Sequence, residues 1–271
     1  MFDATIISIA IGLFIGLVLA LTGAGGSILA LPLLVFGLNL SLTQAAPIAL
    51  LAVMLASSIG AIQGLHKGIV RYKTALLMAG FGIAFAPLGV WLAKRAPTHI
   101  LSLCFATILV YVAWRMWQQS AQMPDADINK PAPPCEINLA TSKLFWTALC
   151  TKRLAITGTV AGLLAGLLGV GGGFVIVPSL RKVSNFNAQT IIATSLSIIA
   201  LVSASSVATY LLHENIQWKI AIPFVSSTMF SMFAFGLLSH KIPAIISQRS
   251  FSVLAVCAAL MMAVKGFLTF N

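Results

Sequence analysis

The sequence predicts an all-α, polytopic integral membrane protein of about 8–10 membrane segments, set in two homologous repeats whose helices break at glycine-rich knots. Three observations carry this. Apolar residues make up 59% of the 271 residues and charged residues 8%, against roughly 45–50% and about 25% in a soluble globular chain, so there is no material for a charged surface. The apolar residues fall in long runs with short polar breaks, as a bilayer demands. A shift of 146 residues, the step from Gly23 to Gly169, lays one half of the chain on the other.

The same shift matches Gly12-x-x-x-Gly16 with Gly158-x-x-x-Gly162, Gly23-Ala24-Gly25-Gly26 with Gly169-Val170-Gly171-Gly172, Pro32 with Pro178, Lys73 with Lys219, and Pro97 with Pro243. A compensated slip of one residue pairs His66 with His213. The organisation expected is a first transmembrane repeat over 1–118, a polar Pro-rich linker over 119–143 and a second repeat over 144–271.

Taken in order, the apolar runs of the first repeat cover 4–22, 26–38, 44–65, 74–93 and 98–118. All are expected to be helical, because backbone polar groups in lipid must be satisfied within the segment. The first follows Met1-Phe2-Asp3, which lacks the cationic start of a cleavable leader, and is expected to remain as a span. Its Gly12 and Gly16 have the small-residue spacing that lets helices approach closely. The second run is short: 13 residues of helix rise only about 20 Å, less than the roughly 30 Å hydrocarbon core. The linker then gathers Pro124, Pro131, Pro133 and Pro134 with most of the acidic residues, and is read as lying outside the bilayer. The second repeat has runs over 154–168, 173–184, 188–212, 220–239 and 243–268.

The net charge of +11 is spread in small groups beside the runs, such as Lys67/Arg71/Lys73, Lys152/Arg153 and Arg181/Lys182. These read as topology determinants at lipid headgroups, and no nucleic acid partner is expected. Counting each short run as a crossing makes five spans per copy and inverts the second copy. One face then collects twelve cations and the other keeps Lys94, Arg95, Lys219 and Lys265. Folding each knot within one crossing gives four parallel spans per copy and a weaker bias, so the inverted arrangement is favoured.

The knots are where chemistry is expected. Contiguous glycines break a helix, and the helix that restarts exposes unpaired N–H groups and the positive end of its dipole. Two such ends at matching places suit an anion near the membrane midplane. The residues proposed to bind substrate are Thr22, Gly23, Gly25, Gly26, Ser27 and Gln44 in the first copy, with Gly169, Gly171, Gly172, Gly173, Thr194 and Ser195 in the second. Hydroxyl and amide groups can donate to an oxyanion without adding opposing charge, although such residues in spans also serve helix packing. His66, His213, Lys73 and Lys219 are candidates for a cationic mouth or gate, or are simple interfacial anchors.

The five acidic residues, Asp3, Asp125, Asp127, Glu136 and Glu214, all fall at a terminus, in the linker or in a loop. Cation-coupled carriers usually place ionisable groups inside spans, so the sequence leans toward an anionic or neutral solute. There is no paired-carboxylate, nucleophile–base or metal-ligand constellation, hence no enzyme, cofactor or metal is expected. Cys104, Cys135, Cys150 and Cys257 show no C-x-x-C spacing and read as small apolar residues with inert thiols.

The ordered, duplicated set of Gly-x-Gly-Gly followed by proline, then Ala193-Thr194-Ser195-Leu196 and the His-x-x-Ile-x-Trp-Lys of 213–219, resembles the sulfite exporter TauE/SafE family. The resemblance covers nearly the whole chain apart from the linker. It implies a multi-pass carrier in the bacterial inner (plasma) membrane for sulfite, a sulfonate or a related small sulfur-containing anion. The first copy departs from the pattern, with Ala46-Pro47-Ile48-Ala49-Leu50 opposite Ala193-Thr194-Ser195-Leu196 and Ser27 opposite Gly173. The function expected is therefore a secondary transporter for a small oxyanion. The alternatives are a passive anion channel and a non-transporting membrane assembly factor. Its partners are the small anionic substrate and the lipid bilayer; whether it forms a homo-oligomer is left open by the sequence.

Overall fold

A computed structural model describes residues 2–23, 25–121, 135, 147–184, 186–212, 216–238 and 244–268. They form ten helices: α1 (Phe2–Thr22), α2 (Gly25–Gly37), α3 (Leu42–His66), α4 (Tyr72–Arg95), α5 (Thr98–Ala121), α6 (Ala148–Leu168), α7 (Gly173–Val183), α8 (Ala188–Leu211), α9 (Trp218–Leu238) and α10 (Ala244–Leu268). Every apolar run is one helix, with ends within a few residues of those expected except at α6, which starts six residues earlier. Among the described residues, seven helices are long and apolar enough to cross a membrane. The helices after the knots, α2 and α7, have only 13 and 11 residues.

The chain is apolar outside, and its apolar interior also encloses hydroxyl groups. Leu76 is 63% exposed and Phe230 68%, whereas Ser57, Thr194, Ser195, Ser203 and Thr228 are fully buried. Lipid tails solvate leucine and phenylalanine as well as a protein interior does, so close van der Waals packing, helped by a few interhelical hydrogen bonds, holds the helices together. Many of the hydroxyls bond back to the preceding turn, as Thr22 does to the Val18 carbonyl at 2.8 Å and Thr228 to Phe224 at 2.7 Å. Ser231 bonds across instead, donating to the Leu13 carbonyl of α1 at 2.6 Å.

Glycines fix which helices touch and in which direction. A Cβ on Gly158, Gly162 or Gly166 of α6 would overlap Met78, Gly82 or Ala86 of α4, so these two helices run the same way with backbones in contact. Gly12 and Gly16 of α1 meet Phe224–Thr228 and Thr228–Ser231 of α9 in the same manner. By contrast, Gly60 of α3 faces Leu196 of α8, and Gly64 faces Ala193, so α3 and α8 run in opposite directions. The packing partners exchange when the halves are swapped: α4 lies on α6 as α1 lies on α9, and α4 on α8 as α9 on α3. The helices α3 and α8 pack on each other, as do α5 and α10.

The cysteines correct one expectation. Cys135 and Cys150 are joined in a disulfide, with a Cα–Cα distance of 5.2 Å, while Cys104 and Cys257 are free and exposed. Nothing in their spacing signals the pair. What brings them together is the docking of Cys135 beside Ser184, where its N–H donates to the Val183 carbonyl at 3.0 Å. Residues 119–121, assigned to the linker, belong to α5. The rest of the linker apart from Cys135 lies outside the described residues, with Asp125, Asp127 and Glu136.

The glycine contacts make a direct prediction. Gly162→Leu must force α4 and α6 apart and should abolish monodisperse protein on size-exclusion chromatography. Gly80→Ala, where a Cβ meets nothing within 4 Å, should leave the protein folded and raise its stability by about 0.5–1 kcal/mol through helix propensity.

Candidate functional site

Each knot is the tip of a helical hairpin. Gly23 has φ +71° and its N–H caps α1 through the Leu19 carbonyl at 2.8 Å. The chain turns back, and Gly26 packs on the backbone of Ile15 and Leu19. Gly37, at the far end of α2, reaches Ile11, so α2 retraces most of α1. The second knot repeats this. Gly169 has φ +70° and its N–H bonds to Ala165 at 3.0 Å, while Gly172 lies against the Ala161 backbone. Gly171 and Gly172 also have positive φ, at +69° and +67°. Gly172 caps α7 without any side-chain hydrogen bond.

The knots are completed crosswise. Gly23 faces Ile192 at the start of α8, in the other half of the chain, and Gly169 faces Ala46 at the start of α3. The Ser195 hydroxyl lies 3.3 Å from the Gly23 carbonyl and 2.8 Å from that of Ile192. Thr194 accepts a bond from the Arg71 N–H at 3.1 Å, which ties the loop after α3 to α8. The sequence assigned Thr194 and Ser195 to the second copy; spatially Ser195 meets the first knot and Thr194 the loop after α3. At the second knot the buried Ser203 hydroxyl faces Gly171 and has no hydrogen-bond partner.

Beside the first knot lies a cavity of about 390 Å³, within the roughly 300–1,000 Å³ range of small-molecule pockets. Ala20 of α1, Gly60, Gln63 and Gly64 of α3, Lys67 and Ile69 after it, Gln189, Ile192, Ala193 and Leu196 of α8, and Met232 and Gly236 of α9 form its wall. Both halves therefore contribute. No carboxylate lines it among the described residues. The corresponding place at the second knot holds only about 20 Å³, between Thr43, Ala46, Lys94, Leu167, Leu168 and Tyr210, room for about one water. Tyr210 stands where the shift places Gly64. It lines this small space, and its hydroxyl donates to the Gly166 carbonyl at 3.2 Å.

The remaining predicted residues separate from the cavity. Thr22 and Ser27 are buried at the first knot, and Thr22 bonds within its own helix. Gly25 opens α2 and Gly173 opens α7. Gln44 is exposed at the opposite end of α3, where it forms a capping box with Ser41. His66, Lys73 and Lys219 are exposed and do not line the cavity, and His213 lies outside the described residues. The cation that does line it is Lys67, which the sequence offered only as a topology marker. The cue was available: Gln63 and Lys67 are four residues apart, on one face of the helix end.

Long apolar helices, two hairpins and a cavity lined from both halves of the chain define a multi-pass membrane protein. The profile of the family described as "Sulfite exporter TauE/SafE" matches residues 8–262, and the chain belongs to that family. It is 28% identical over 225 residues to a "Probable membrane transporter protein" of Xylella fastidiosa (strain 9a5c), covering 82% of this chain and 80% of that protein. It is 25% identical over 234 residues to "Probable membrane transporter protein YunE" of Bacillus subtilis (strain 168), covering 83% and 85%. No solved structure matches the chain.

Two glycines in the left-handed region should behave differently. Gly68 has φ +66° in open space, so Gly68→Ala should cost only the conformational term of about 1–2 kcal/mol. Gly172→Ala adds a collision with the Ala161 backbone and should lower the thermal midpoint far more. Equal shifts in the two unfolding curves would contradict the hairpin geometry.

Proposed function

We propose that this protein is a secondary transporter for a small oxyanion such as sulfite or a sulfonate, built from two inverted repeats that present the central site to one face at a time. The antiparallel α3 and α8, equivalent under the 146-residue shift, support inversion. The observation that carries the transporter reading is the inequality of two equivalent places: a cavity at the first knot, and a sealed one at the second behind Tyr210. A continuous channel would need an opening at both ends, whereas a carrier is sealed at one end at any moment.

The cavity opens on the face that bears Lys67, Arg71 and Lys73, with Lys152, Arg153, Arg181 and Lys182 at helix ends on the same side. Their excess makes this the cytoplasmic face. The Cys135–Cys150 pair lies there too, although disulfides belong to oxidising compartments. Summed over many side chains, the charge rule outweighs one cysteine pair as a guide to sidedness.

Purified protein in proteoliposomes should exchange radiolabelled sulfite or a sulfonate across the membrane, without unitary currents in voltage-clamped bilayers. Tyr210→Gly should unseal the second face and produce a leak that no longer saturates with substrate. Channel-like conductance in the unmodified protein, or transport of none of these anions, would overturn the reading.

A further inference from the structure

Four features of the cavity have the same electrostatic sign. The first is Lys67, exposed at its mouth. The second is the start of α8: Gln189, Ile192 and Ala193 line the cavity from its first turns, and the N-cap residue, Asn187, makes no side-chain hydrogen bond. The first-turn N–H groups and the positive dipole end are thus not neutralised by a capping side chain. The third is the Gln63 amide nitrogen, enclosed in the wall with no hydrogen-bond partner. A buried donor left unpaired is costly, and such a group calls for a specific explanation. The fourth is Gln189 itself, whose amide can donate to a solute.

The opposing field is suppressed. The C-terminal end of α3 also reaches the cavity, and its free carbonyls would repel an anion. They are closed by a Schellman turn: the Ile69 N–H bonds to Gly64 at 3.2 Å and the Gly68 N–H to Leu65 at 3.0 Å, with Gly68 at φ +66°. The Lys67 N–H bonds to Gln63 at 3.2 Å. Among the described residues, the cavity therefore holds a helix start that lacks a side-chain cap and a helix end whose Gln63, Gly64 and Leu65 carbonyls are taken, together with a cation, two amides and no carboxylate.

From this arrangement we infer that the anion is bound by Gln63, Lys67 and Gln189 against the first turn of α8, rather than by the backbone of the glycine knots. Gln63 is the recognition residue: its amide sits between α3 and Gly236 of α9, where a Cβ on Gly236 would come within 2.8 Å of its oxygen. Gly236 keeps the room that the amide occupies. Lys67 supplies the long-range attraction, and the α8 amides the short-range donors. The ligand class is a compact oxyanion with several acceptor oxygens. The assignment rests on the oxyanion-transporter reading.

The test uses the full-length protein, titrated with sulfite and with methanesulfonate by calorimetry, alongside uptake of labelled sulfite in proteoliposomes. Gln63→Glu keeps the shape, replaces a donor by a negative charge, and should abolish binding. Gln63→Leu should weaken it at least about tenfold, equivalent to about 1.4 kcal/mol. Lys67→Met, at an exposed position that tolerates change, should weaken binding and flatten its dependence on ionic strength. It also keeps the test decisive if the Gln63 variants fail to fold. Unmodified protein that binds neither anion would defeat the oxyanion reading itself. Binding by the unmodified protein that survives Gln63→Glu, or that keeps its full affinity in Lys67→Met, would instead sink this site while leaving that reading intact.

Discussion

Unwound backbone in a bilayer is tolerated only where protein or a water-filled cavity covers it, and much of this structure follows from that constraint. At each knot glycines at positive φ turn the chain back on itself, and a run of peptide groups leaves the helical hydrogen-bond ladder. Each knot is covered by the start of a helix from the other half: α8 over Gly23 and α3 over Gly169. Neither half can bury its own knot in this way, so the two must assemble together. Close approach is what permits the covering, and the glycine faces of α1 and α6 supply it against α9 and α4.

That crosswise covering also explains why the polar groups sit where they do. Ser195 is used on the Gly23 carbonyl and Thr194 on the Arg71 amide, so both hydroxyls bind the protein's own backbone. Among the described residues, the polar and charged side chains in the cavity wall are Gln63, Gln189 and Lys67. The two ends differ: the space beside Gly23 holds about 390 Å³, and the space lined by Ala46 and Tyr210 about 20 Å³.

Helix positions were legible in the sequence because in lipid a helix is simply an uninterrupted apolar run, and polar or glycine-rich breaks mark its ends. The knots were legible because contiguous glycines have little other reason to interrupt a span. The partners of the knots were not. The 146-residue shift aligns Thr194 and Ser195 with positions after the first knot, which invites each half-site to be read as internal to its half. Their true neighbour, Gly23, follows only once α3 and α8 are known to run antiparallel. Gln44 misled for a related reason: it follows the knot closely in sequence, but α2 carries the chain back down α1 before α3 starts, so Gln44 sits at the other end of the bundle. The Cys135–Cys150 bond depends on Cys135 docking beside Ser184, which no local pattern records.

A carrier must hold its solute firmly enough to strip its water and loosely enough to release it. A fully buried cation would favour the first and defeat the second, because a desolvated ion pair with no competing partner is hard to break. Here Lys67 and Gln189 stand exposed to water, and the enclosed donor is the Gln63 amide nitrogen, a neutral group. Such a donor returns part of the hydration an oxyanion loses and holds no full opposite charge. No carboxylate lines the cavity among the described residues; under the proposed oxyanion reading, even one would oppose the field of such small dipoles. Weak, additive, same-sign contributions around a cavity open to one face are what reversible handling of a small anion requires.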